Sequence, residues 1–346
     1  MDNTDRRGLG LLGWLVVWLG CAHAVSGALG LRWVQEVEWP TDLLAIGEIE
    51  RAARVDVAIV GSSRSHYGLA PSAIDACLGH ALGRPTVTIA ANRLAASSYA
   101  ADLVARGLFS GERAPRVLVV EVAPESLNGH HFELDYNVGA TAELEDVPEC
   151  LAAAAHGPLR AGACLRPFTR GVENLAFFLH RPLTEHAHIT WMARYAGGGQ
   201  YCFGTPGCEA RNAQYDARHA GRWQTRVERV LPKVRRERFV DYHIEGGLPG
   251  AHLEALLARA KADGVRVLVL NLPVSAAYQA EVPEAAYETF LAWTAPAAAR
   301  HGATFVDLNV PEWQARDLYV DPDHLDAGGA ERMSAAVCER LVGWLR

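Results

Sequence analysis

No stretch of this chain interleaves basic residues with aromatics, and the formal net charge is −7. A nucleic-acid surface needs a concentrated positive face, so that class of partner is disfavoured. No collagen-like, heptad or solenoid period runs through the sequence, which removes fibrous and repeat architectures. No Cys-x-x-Cys pair, and no histidine at a matching spacing, offers a metal cage, so neither a metal nor another cofactor is expected. The alanine-rich stretches 151–155 and 295–299 read as helix filler and not as low-complexity tails.

What is present is a chain of 346 residues, half of them hydrophobic. That suits one large domain or two small ones with ample core material. At the start, Arg6-Arg7 precedes a mostly apolar stretch from Gly8 to about Val34, broken only by His23, Ser26 and Arg32. A bilayer span needs roughly 20 residues. Residues 1–34 are therefore read as a signal anchor with a transmembrane helix, the basic pair holding the N-terminus in the cytoplasm and the body outside. A cleavable signal peptide is the rival, because Ala22-His23-Ala24 resembles a cleavage site. Leu19-Gly20-Cys21 also hints at lipoprotein processing, which Trp18 fits poorly.

Beyond Cys21, six cysteines remain, an even number that permits disulfides in an exported domain. Cys202 and Cys208 bracket Phe-Gly-Thr-Pro-Gly, a turn-forming sequence that can bring them together. Cys150 and Cys164 could close a second small loop.

The body, 35–346, reads as two α/β halves around an irregular middle. Strands are expected at 55–60, 86–90, 116–122, 265–270 and 304–308, each a short apolar run. Helices are expected at 72–82, 95–108, 249–263, 283–300 and 327–345, with Gly264 and Gly302 ending two of them. This alternation argues for a three-layer α/β/α sandwich around a central parallel five-stranded sheet. Between about 129 and 245 the alternation fails. That stretch is rich in His, Trp, Tyr and Arg and is too long for an ordinary loop. It reads as an insertion that either caps the site or is a disulfide-stapled stabilising excursion.

Parallel α/β sheets bind ligands at the carboxyl ends of their strands. Gly61-Ser62-Ser63-Arg64-Ser65 follows the first expected strand, and Asn92 follows the second. Pro124 and Glu125 follow the third, and Asn271 ends the fourth. Asp321-Pro322-Asp323-His324 follows the last. Ser63, on a glycine turn, is placed to be a nucleophile, with His324 as general base and Asp321 fixing its tautomer. Asp323 is the rival for the orienting role, but a side chain adjacent to the histidine would normally point elsewhere. Ser62, Ser63 and Ser65 could instead cap the following helix or form a polar turn, and Asp326 could be the N-cap of the last helix with His324 merely nearby. The Ser63 N–H and the Asn92 side chain are candidate oxyanion donors. Asn271 could bond substrate or simply terminate its strand. Arg64 could hold a sugar hydroxyl or carboxylate, or lie on the surface.

The order Ser…Asp-x-x-His, with Asp-Pro-Asp-His-Leu-Asp-Ala-Gly-Gly leading into a terminal helix, resembles the SGNH/GDSL hydrolase superfamily. The anchor, the Gly-Ser-Ser-Arg-Ser turn, the Pro-Glu-Ser segment at 124–126 and the Asn-Leu-Pro-Val segment at 271–274 resemble its membrane-anchored members of the D-alanyl-transfer and alginate O-acetylation type. The Gly-x-Asn-Asp segment usual after the third strand is missing, and Asn128 lacks its context. The resemblance implies an SGNH-type serine esterase or acyltransferase on the extracytoplasmic side of a bacterial membrane. Its partners would be an acyl donor, a polysaccharide acceptor and a membrane-bound O-acyltransferase. Two alternatives stand beside it: a non-catalytic glycan-binding or assembly protein, and a secreted carboxylesterase.

Overall fold

The computed structural model describes residues 54–91, 114–130, 146–156, 159–169, 201–204, 206–220 and 223–346, and isolated residues 14, 17, 18, 20, 21, 101, 102 and 105. The expected anchor lies almost wholly outside the described residues, as does most of the helix expected at 95–108. Among the described residues no helix is long and apolar enough to cross a membrane.

The elements run β1 (Val57–Val60), α1 (Ser63–Gly68), α2 (Pro71–Leu82), β2 (Thr88–Ala91) and β3 (Val117–Glu121). Next come α3 (Val147–His156), α4 (Ala161–Cys164), α5 (Cys208–Ala220) and α6 (Trp223–Arg229). The last part holds α7 (Leu248–Ala262), β4 (Arg266–Asn271), α8 (Ala276–Gln279), α9 (Glu284–Arg300) and β5 (Thr304–Asp307). A hairpin of β6 (Tyr319–Asp321) and β7 (His324–Leu325) precedes the closing helix α10 (Ala327–Leu345). Each of the five expected strands is present within two residues of its expected bounds.

β1 to β5 form one five-stranded sheet in the order β2-β1-β3-β4-β5, with every pairing parallel. Side chains alternate faces along a strand, so a sheet covered on both sides is apolar at every position. β1 follows this rule. Ala58 and Val60 share one core with Leu118 and Val120 of β3, Leu253, Leu256 and Leu257 of α7 and Phe290 of α9. Val57 and Ile59 share the other with Val117 and Val119, Ile74 and Leu78 of α2, and Met333, Val337 and Leu341 of α10. Full burial of each valine, leucine, isoleucine, methionine or phenylalanine among them contributes about 1.5–3 kcal/mol. The result is a mixed α/β fold around a parallel sheet, an arrangement compatible with an α/β sandwich.

Gly264 and Gly302 follow α7 and α9 with φ of 70° and 73°, the left-handed conformation that ends a helix without a Cβ penalty. Three disulfides join described residues: Cys150–Cys164, Cys202–Cys208 and Cys77–Cys338. The first two close the expected small loops, and the third ties α2 to α10. Such bonds are compatible with an oxidising, extracytoplasmic location. Among the described residues of 129–245 there are helices and turns but no strand, which is why the strand–helix alternation fails there.

The strand order reverses between β1 and β3, because the chain leaves β1 toward β2 on one side and returns to β3 on the other. The crevice at the carboxyl ends of two such strands is where open parallel sheets gather ligands. Ser63 begins α1 just past β1, and Glu121 ends β3.

Candidate active site

The turn that leads into Ser63 is shaped by close packing beneath it. A Cβ on Gly61 would press into Ser65 Oγ and lie 2.7 Å from Glu121 Cβ, so the turn has no room for a side chain. The buried Glu121 carboxylate accepts the Ser62 N–H at 2.5 Å. Burial pushes the Glu121 pKa up, against the pull of Arg64 and of the Ser62 hydrogen bonds. The three serines divide the work. Ser62 caps α1, its hydroxyl accepting the Arg64 N–H at 3.1 Å. Ser65 is buried and donates to the Ser62 carbonyl at 2.9 Å. Ser63, half-buried, faces His324.

His324 sits on the β6–β7 hairpin, whose two-residue turn is Pro322-Asp323. Asp321 and His324 pair across that turn. Directly opposed residues on an antiparallel pair put their side chains on one face at close range. The His324 Nδ1–H accordingly donates to Asp321 Oδ1 at 2.8 Å, and the Ser63 hydroxyl donates to His324 Nε2 at 2.8 Å. Asp323 Oδ1 stands farther away, 3.6 Å from Nδ1. The turn is held from outside by the Ser275 N–H, which donates to the Pro322 carbonyl at 3.0 Å. Asp326 does cap α10, accepting the Gly329 N–H at 2.8 Å. The helix cap and the aspartate–histidine couple therefore coexist in one segment.

Burial favours a neutral His324 ring, but Asp323 and Asp321 beside it outweigh that and hold its pKa above the ordinary histidine value. Asp321 goes the other way. Burial works against its charge, yet His324, then Arg226, hold it well below the usual carboxylate range. A base with a strongly ionised partner on its far nitrogen is oriented and tautomerically fixed.

Two neighbours of the couple were not visible in the sequence. Tyr67 stacks obliquely on His324 with ring centroids 4.5 Å apart. It lies one helical turn after Ser63, a spacing that is legible once α1 is known to be a helix. Arg226 of α6 places its Nε 3.5 Å from Asp321 Oδ2. An arginine in the polar segment Trp-Gln-Thr-Arg-Val-Glu-Arg carries no sequence signal for that role.

Other expected site residues sit differently. Arg64 is buried, not on the surface. Its guanidinium pairs with Glu125 and lies 4.8 Å from the Tyr278 ring centroid. A carboxylate of the chain itself therefore fills the place proposed for a ligand. Glu125 also accepts from the Tyr278 hydroxyl at 2.5 Å. Asn271 is buried and donates to Asp307 Oδ1 at 2.8 Å and to the Tyr287 hydroxyl at 3.1 Å, so it ties β4 to β5 instead of facing the couple. Asn128 donates to the Arg238 carbonyl at 2.9 Å and accepts the His130 N–H at 3.1 Å, which spends its amide on the 238–243 segment. Asn92 lies outside the described residues. Of the candidate oxyanion donors this leaves the Ser63 N–H, which a helix start provides with no intrahelical acceptor.

Among the described residues one group has ligand-like spacing for a cation: Asp321, Asp323 and His324, with candidate atoms within 4.8 Å of one another. Asp321 Oδ1 and His324 Nδ1 are hydrogen-bonded to each other, the pairing of an oriented base. No protein-family model and no curated protein matches the chain.

Proposed function

We propose that this protein is a membrane-anchored, extracytoplasmic serine O-acyltransferase or acylesterase of SGNH type, acting on a cell-surface or exported polysaccharide. One observation carries the chemistry: Ser63 Oγ, His324 and Asp321 are joined by two hydrogen bonds of 2.8 Å each. In this reading Ser63 Oγ attacks the acyl carbonyl carbon and its proton passes to His324 Nε2. The tetrahedral intermediate expels the donor's leaving group, which takes that proton, and an acyl-Ser63 ester remains. An acceptor hydroxyl then attacks the ester while Nε2 takes its proton, and collapse returns the proton to Ser63 Oγ. A sugar acceptor makes the enzyme a transferase and water makes it an esterase. Asp321 stabilises the imidazolium formed in each half, and the Ser63 N–H is the oxyanion donor this chain offers.

The parallel-sheet fold, the serine after β1, the Asp-x-x-His hairpin and the three disulfides all support the SGNH-type reading. The polysaccharide acceptor and a membrane-bound O-acyltransferase as acyl supplier follow from the resemblance to the membrane-anchored members, as does attachment through residues 1–34.

A second reading, a non-catalytic glycan-binding or assembly protein, is favoured by one observation. The only asparagine near the expected Gly-x-Asn-Asp position, Asn128, is spent on backbone groups. The two separate on hydrolysis of p-nitrophenyl acetate by the full chain. Turnover that disappears in Ser63→Ala and in His324→Ala supports the enzyme. Turnover unchanged in both variants sinks it.

A further inference from the structure

A side chain of the irregular 129–245 stretch, Arg226, reaches the candidate triad. Asp321 uses Oδ1 to hold His324, and Arg226 stands 3.5 Å from its other oxygen, Oδ2. The aspartate side chain is 2% exposed and the arginine side chain 33% exposed. A buried carboxylate oxygen thus meets a partly exposed cation carried by α6.

That helix is docked on the hairpin by a separate set of contacts. Trp223 and Arg226 lie three residues apart on α6 and so share a face. The Arg316 guanidinium stacks 3.5 Å from the Trp223 ring centroid and donates to the Tyr319 carbonyl of β6 at 2.7 Å. Trp223 therefore fixes α6 over β6, and Arg226 is delivered to Asp321 from a braced position. A stray surface arginine has no such scaffold.

We propose that Arg226 is a positioning residue of the triad, one that holds the Asp321 carboxylate and offsets the pull of two carboxylates on His324. This rests on the reading of Ser63, His324 and Asp321 as an acyl-transfer site. The groups around the His324 ring define the problem. Asp321 and Asp323 face it from its own hairpin, and Ser63 and Tyr67 from α1. Tyr201, whose hydroxyl is 3.4 Å from the Leu325 carbonyl, comes from the irregular stretch and pairs with Asp216, whose Oδ2 accepts the Ala327 N–H at 3.4 Å. Tyr215 packs on Tyr67. Arg238 lies 3.8 Å from Asp323 Oδ2, and the buried Arg64 adds positive charge near the same carboxylate. Two carboxylates against one imidazole stabilise its protonated form and would keep the base out of use over a wider pH range. A cation on the far side of Asp321 disfavours the imidazolium, and it does so without occupying the face that Ser63 uses. The irregular stretch is then part of the catalytic apparatus, since its α6 segment supplies this charge.

The test reads the His324 ring directly. In the full chain, ring-labelled histidine would be titrated by NMR, with the His324 signal assigned by its loss in His324→Gln. In parallel, kcat/KM for p-nitrophenyl acetate would be followed against pH. Arg226→Gln should raise the His324 pKa by roughly half a unit, the size expected of a partly exposed charge one contact away. The acid limb of kcat/KM should move up by the same amount. Arg226→Lys, which keeps the charge, should restore both readings. Arg226→Met, which keeps the apolar stem over the hairpin, carries the same prediction if the glutamine variant does not fold. A folded neutral variant that titrates like the wild type overturns the proposal, even where Ser63→Ala abolishes turnover and the enzyme reading stands. A raised His324 pKa in a chain that never turns over ester supports the charge coupling and removes the acyl-transfer reading instead.

Discussion

Asp321 and His324 are cross-strand neighbours on a two-residue hairpin, and their side chains meet at 2.8 Å. The proposed base and its orienting carboxylate are thus built on one small hairpin, while the proposed nucleophile, Ser63, comes from the first part of the chain. A hairpin pair fixes relative position through its backbone, so the couple does not depend on a long flexible loop.

Replacing Asp321 by Asn should leave the hairpin folded and remove the function of the base. An amide can place its N–H toward Nδ1, which reverses the tautomer and leaves Nε2 protonated against Ser63. A loss of about 10⁴-fold in kcat is the size that such a change produces in serine triads. Kinetics of p-nitrophenyl acetate hydrolysis, with circular dichroism as the folding control, would check it.

The pH profile should have an acid limb above the ordinary histidine value of 6.5, because nearby carboxylates raise the His324 pKa and only the neutral ring can take the Ser63 proton. Activity therefore rises as pH increases through that limb. Asp323→Asn removes the largest of the charges that raise it, so the limb should move to lower pH, opposite to the shift expected for the neutral Arg226 variants. A limb that stays in place after Asp323→Asn would show that Asp323 does not act on the base.

The Cys77–Cys338 bond joins α2 and α10 across 261 residues of sequence, and both helices cover the same face of the sheet. Constraint of so long a loop in the unfolded chain is worth several kcal/mol in the entropic account, and loss of a native disulfide costs about 2–5 kcal/mol. The double variant Cys77→Ser, Cys338→Ser should lose stability of that size in urea denaturation. A loss well below 1 kcal/mol would show that packing of Ile74, Leu78, Val337 and Leu341 suffices.

Much of this arrangement was legible in the sequence, because it is written in local signals. The five apolar runs gave the parallel strands, since residues buried on both faces of a sheet cannot alternate with polar ones. Asp-x-x-His gave the couple because its spacing fits a two-residue turn. The rest depends on partners distant in sequence. Arg64 looked like a surface residue because its counter-ion, Glu125, is 61 residues away. Arg226 carries no local signal, because its partner Asp321 stands far along the chain. Asn271 was open between substrate and strand end until Asp307 and Tyr287 supplied its partners. The serine segment alone leaves a nucleophile turn, a helix cap and a polar turn open, and only the α1 helix, which Ser62 caps, places Tyr67 one turn after Ser63.

The central claim is that Ser63 carries the acyl group, and covalent trapping tests it most directly. The full chain would be treated with a fluorophosphonate probe, digested and mapped by mass spectrometry, beside Ser63→Ala and His324→Ala. The account predicts a phosphonyl adduct on the peptide holding Ser63, absent from Ser63→Ala and strongly reduced in His324→Ala. A folded wild-type chain that acquires no adduct, or acquires it on another residue with Ser63→Ala labelled equally, would contradict it.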